Sequence, residues 1–84
     1  MVILANATFL DLLAGEPGLS AVADADAIAA GAAMCDAMDR GDSLQAVLIA
    51  GAGMAPAAGS PEDVAAIAGA ASGTLCPEHA SYVD

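Results

Sequence analysis

Apolar and small residues recur at three- and four-residue spacing along most of the chain, and no stretch alternates apolar with polar as a strand would. Residues 24–40 give the clearest case. Ala27, Ile28, Gly31, Met34, Cys35 and Met38 fall on one side of a helix, with Asp26, Ala30, Ala33, Ala37 and Arg40 on the other. Asp24 suits the N-cap, and Gly41 stands where a left-handed residue closes a helix. Cys35 is thereby predicted to point inward.

Three further helices are expected around this one. Phe9, Leu10 and Leu13 make a stripe on a helix over residues 6–14, capped by Asn6 or Thr8 and stopped by Gly15. Glu16-Pro17-Gly18 is a turn by composition, and Leu19 and Val22 lead from it as an apolar plug. Leu44, Val47, Leu48 and Gly51 line a helix over residues 43–52 that starts from Asp42 or Ser43 and weakens at Gly51-Ala52-Gly53. Ser60 as N-cap, Pro61 in the first helical position, and Glu62 and Asp63 at the positive end of the macrodipole open a helix over residues 61–75. Its inner face is Val64, Ile67, Ala68, Ala71 and Leu75, and Gly69, Ser72, Gly73 and Thr74 are small enough for close approach to a neighbour. Pro77 ends it near Cys76. The expected architecture is all-α, a small array of about four short helices, with residues 1–5 a flexible N-terminal tail, 6–77 a single helical domain and 78–84 a C-terminal tail.

Composition sharpens this picture. Of the 84 residues 24 are alanine, the best helix former and a poor strand former, so the pattern has no β alternative. Alanine buries little area, and a domain this small has a modest core to begin with. Two cysteines in such a chain point to one disulfide, Cys35 with Cys76, and to an oxidising compartment. Eleven acids stand against a single arginine, Arg40, with a net charge of −10. One cation cannot neutralise the several phosphates that nucleic acid presents, and anionic lipid headgroups would repel such a surface, so neither is an expected partner. No run reaches the ~20 apolar residues of a membrane span.

The candidate chemistry is sparse. Cys76-Pro77-Glu78-His79 has the C-x-x-H spacing of half a zinc site, or of a Cys-Pro element that contacts haem. Cys35, Cys76 and His79 would then need a carboxylate such as Asp36 or Glu78 as fourth ligand. The simpler expectation is no metal and no cofactor, with His79 at the surface of a fraying tail. Asp36 and Arg40 are spaced for an i,i+4 ion pair. Ser72 and Thr74 are better explained by helix packing than as nucleophiles, and no catalytic residue is expected. Gly51-Ala52-Gly53 follows a helix instead of a strand and lacks the lysine of a phosphate loop. Met34, Met38 and Met54 could form a soft surface for an apolar ligand or a partner.

Phe9-Leu10-x-x-Leu13, then Ala27-Ile28-x-x-Gly31-x-x-Met34-Cys35-x-x-Met38-x-x-Gly41, and finally Ala71-x-x-x-Leu75-Cys76-Pro77 resemble the domain of unknown function 732 family. These are small, two-cysteine, mainly mycobacterial proteins, usually made with an export signal. The resemblance spans Thr8 to Pro77 and implies an all-helical, secreted or envelope-associated domain in which Cys35 is bonded to Cys76. It brings no activity with it. Leu75 departs from the pattern, since an aromatic residue commonly precedes the second cysteine. Residues 1–4 are too short and lack the basic flank of an export signal, whereas Ala5-Asn6-Ala7 has the form of a cleavage site, so a mature chain without its leader is expected. Two functions follow as expectations. One is a secreted or envelope-associated helical module that binds a protein or cell-envelope partner; the other is a small carrier with a Met-, Leu- and Ala-lined cavity.

Overall fold

A computed structural model describes residues 2–58 and 60–83; Met1, Gly59 and Asp84, which fall in the two expected tails and the loop before the last helix, lie outside them. Four α-helices run in the order α1 (Val2–Ala14), α2 (Asp24–Asp39), α3 (Leu44–Met54) and α4 (Pro61–Thr74). Short 3₁₀ segments follow α1 and α4, at Pro17–Leu19 and Pro77–Val83. α2 is central, flanked by α3 and α4, and α1 closes the array against α4 and α2. No strand occurs among the described residues.

The core gathers the few large apolar side chains onto one point. Phe9 from α1, Met34 and Met38 from α2, Val47 from α3 and Ile67 from α4 are the largest fully buried side chains, and alanines fill the spaces between them. Small residues let the helices close in. A Cβ on Gly31 would sit 2.7 Å from a Leu75 methyl and 3.0 Å from the Phe9 ring, and one on Gly51 would collide with Met34. Gly69 and Gly73, expected to serve this purpose on α4, have no heavy atom within 4 Å of such a Cβ. They face away from the packed surface, and the close approach occurs on α2 and α3.

The helix ends explain most differences in boundaries. α1 begins at Val2, so residues 2–5 belong to a helix instead of a tail, and Asn6 and Thr8 are interior to it. Once a turn exists, each added residue gains a hydrogen bond, and Ala5 and Asn6 face α2 beside Ile28 and Cys35. Ala23, not Asp24, is the N-cap of α2, which places Asp24 in the first turn where its charge favours the dipole. The other end of α2 is as expected: Gly41 has φ 77°, its N–H donates to the Met38 carbonyl at 3.0 Å, and Asp42 N–H donates to Ala37 at 3.1 Å. α3 is capped by Ser43, whose hydroxyl accepts from Ala46 N–H at 3.2 Å, and it continues through Gly51 and Gly53 to Met54. Packing of Gly51 on Met34 offsets the ~1 kcal/mol that glycine costs inside a helix. α4 starts at its expected signal, with Ser60 Oγ accepting from Asp63 N–H at 3.3 Å.

The buried arc of α2 is wider than the stripe read from its spacing. Ala30 and Ala37, assigned to the outer side, are fully buried, whereas Ile28 and Cys35 are only half-buried. A helix with neighbours on two flanks buries both, and a two-sided burial cannot be told from periodicity when most positions are alanine.

Candidate functional site

Cys35 lies on the fourth turn of α2, and Cys76 follows the C-terminal turn of α4, where the Leu75 and Cys76 N–H groups both donate to the Ala71 carbonyl. The two cysteines are bonded, with Cα atoms 6.0 Å apart. Cys76 is buried, and its sulfur is 4.0 Å from the Met38 thioether. The bond therefore joins the core to the last helix from within. It also removes both sulfurs from any ligand set, so the Cys35, Cys76, His79 arrangement with Asp36 or Glu78 does not form.

His79 is brought elsewhere. The segment after Cys76 folds back as 3₁₀ turns instead of trailing away, and His79 Nε2 lies 2.5 Å from Asp39 Oδ1, with the imidazole side chain only 21% exposed. Asp39 is one helical turn beyond Cys35, and His79 is three residues beyond Cys76, so the disulfide sets the two side chains against each other. Glu78 joins them: one donor atom from each of Asp39, Glu78 and His79 lies within 4.8 Å of the others. These are the residues that could hold a metal ion, with the oxygen and imidazole ligands that suit a divalent cation. The spacing of Asp39 and His79 across forty residues carried no sequence signal apart from the cysteines between which it is built.

Arg40 pairs with Asp42 at 3.1 Å, not with Asp36. Gly41 turns the chain at this point, which carries Asp42 back beside the guanidinium, while Asp36 lies a full turn up the helix. Ser72 and Thr74 are tied to the backbone, their hydroxyls donating to the carbonyls of Gly69 at 3.1 Å and Ala70 at 2.7 Å.

The three methionines do not form one surface. Met34 and Met38 are fully buried in the core, and Met54 is exposed at the end of α3. The apolar surface lies elsewhere, in a groove of about 400 Å³ between α3 and α4. Leu48, Ile49 and Ala52 form one wall, at positions that share a helix face, and Ala58, Pro61 and Val64 form the other. Ile49 is 64% exposed. No charged side chain occurs anywhere on α3, the only one of the four helices of which this is true. Two further hollows, of about 340 Å³ beside Cys35 and about 240 Å³ beside the first 3₁₀ turn, also lack a methionine in their walls. Sequence reasoning missed the groove because its walls come from two helices, and α3 by itself looks like ordinary core filler.

These features define a class: a small four-helix domain with an internal disulfide joining its central and last helices. The chain belongs to the family described as protein of unknown function (DUF732), which matches residues 5–78. No curated protein and no solved structure matches it.

Proposed function

We propose that this chain is a secreted or envelope-associated interaction module, without enzymatic activity, that docks a protein partner in the groove between α3 and α4. The observation that carries this reading is the groove itself: an apolar, solvent-open channel beside a helix with no charge, on a chain whose net charge is −10. Ile49 and Leu48 on its wall are apolar side chains that a partner could cover. The disulfide supports a site of action outside the reducing cytosol. Among the described residues no helix is long and apolar enough to cross a membrane, and the excess of acids disfavours anionic lipid and nucleic acid as partners. The carrier reading has less support, because the core methionines are packed and the larger hollows are open.

The test is native mass spectrometry of the protein isolated from its own host, with the wild type compared to Ile49→Glu. Ile49 is at the lip of the groove, so the charge should abolish a bound protein while leaving the melting temperature within about 2 °C, since exposed substitutions have small effects on stability. A partner retained by Ile49→Glu, or a bound small molecule in place of a protein, would overturn the assignment.

A further inference from the structure

The hollow beside the first 3₁₀ turn differs in kind from the α3/α4 groove. It measures about 240 Å³ and lies between the end of α1, the turn at Pro17–Leu19 and the start of α2. Leu13, Leu19, Ala27 and Ile67, all buried, form its floor. Glu16 and Asp24, both exposed, stand at its rim. Among the described residues neither carboxylate takes part in an ion pair or a side-chain hydrogen bond. The chain has no lysine, and its only arginine is at the far end of α2, about 24 Å away at 1.5 Å per residue. Among the described residues no lysine or arginine side chain stands near this rim.

We propose that this pocket binds a small apolar cation: an aliphatic group of side-chain size on the Leu13, Leu19, Ala27 and Ile67 floor, with an ammonium held at Glu16 and Asp24. The volume falls below the ~300 Å³ at which sites for larger ligands begin, so one branched aliphatic group fits and a helix or lipid chain does not. The rim decides the charge. An anion would meet two carboxylates on a chain of net charge −10, and a neutral alcohol would gain from the floor alone. The same chemistry is presented by a free aliphatic amine and by the N-terminal leucine of a peptide. This site is independent of the groove, and either can fail without the other.

The test is a titration followed by methyl and amide NMR, with 3-methylbutylammonium, the tripeptide Leu-Gly-Gly, 3-methylbutanol and 3-methylbutanoate as probes. The amine or the peptide should shift the methyls of Leu13, Leu19 and Ile67 and the amides of Leu19 and Ala27, and whichever binds more tightly identifies the source. The alcohol should bind about fivefold more weakly, the scale of one exposed ion pair, and the acid should not bind. Glu16→Gln with Asp24→Asn should weaken the amine to the level of the alcohol, and Ala14→Leu, at the exposed mouth, should block it with both carboxylates in place. Glu62→Gln, which removes an exposed carboxylate outside the pocket, should change nothing. Equal binding of amine and alcohol, shifts scattered over the acidic surface, an equal loss in Glu62→Gln, or no shift at 50 mM amine would each overturn the proposal.

Discussion

Individual positions show how little a residue type says without its surroundings. Met34, Met38 and Met54 suggest one soft surface when grouped by residue type, yet two fill the core and the third is in solvent. Met34→Ala should cost about 2–5 kcal/mol, read from denaturant midpoints, whereas Met54→Ala should fall within about 0.5 kcal/mol of wild type. His79 is similar. A histidine near a chain end suggests a solvated residue, but the disulfide draws it onto Asp39. The pair is partly exposed, so His79→Ala should cost no more than about 1 kcal/mol. Its clearer signature should be faster amide exchange at Glu78–Ala80 with no change in α2; unchanged exchange there would show that the disulfide alone orders the segment.

The helices were legible from their ends and less so from their faces. Ser43, Ser60 with Pro61, and Gly41 mark boundaries through local chemistry, a hydroxyl for an orphan N–H or a backbone that accepts positive φ, and local chemistry is what a sequence displays. Faces depend on neighbours. Four glycines inside helices make the point, because the same substitution should have opposite signs. Gly69→Ala and Gly73→Ala on α4 meet open space and should each stabilise by about 0.5–1 kcal/mol, through helix propensity. Gly31→Ala and Gly51→Ala should destabilise by about 1–3 kcal/mol, because the new methyls press on Leu75 with Phe9 and on Met34. Thermal melts of the four single variants check the division, and a stabilised Gly51→Ala would mean that Met34 has room to move.

For the molecule as a whole, the disulfide and the charge act in opposite directions. A cross-link between residues separated by 41 positions removes about 4 kcal/mol of entropy from the unfolded chain. A domain of this size has a total stability of only about 5 kcal/mol at the low end, so reduction should leave the protein at or near its unfolding midpoint at 25 °C. Circular dichroism with and without reductant, and of Cys35→Ser/Cys76→Ser, measures this; a melting temperature lowered by only a few degrees would show that the alanine-filled core suffices. Ten net negative charges on a molecule with a radius of gyration of 11.1 Å repel one another. Raising sodium chloride from 10 to 300 mM shortens the screening length from about 30 to 6 Å and should raise the melting temperature of the oxidised protein.

The sequence by itself determined the helical class, most helix boundaries, the one possible cysteine pair and the family. Each of these rests on propensity, capping or spacing along the chain. Only the tertiary structure decided which alanines are buried, which glycines carry close contacts, that residues 2–5 continue α1, and where the hollows lie. The groove needs α3 beside α4, and the acidic-rimmed pocket needs the end of α1 beside the start of α2. In a chain with 24 alanines, one helix face looks much like another until a neighbour is set against it, because burial is a property of pairs of elements and the sequence lists them one at a time.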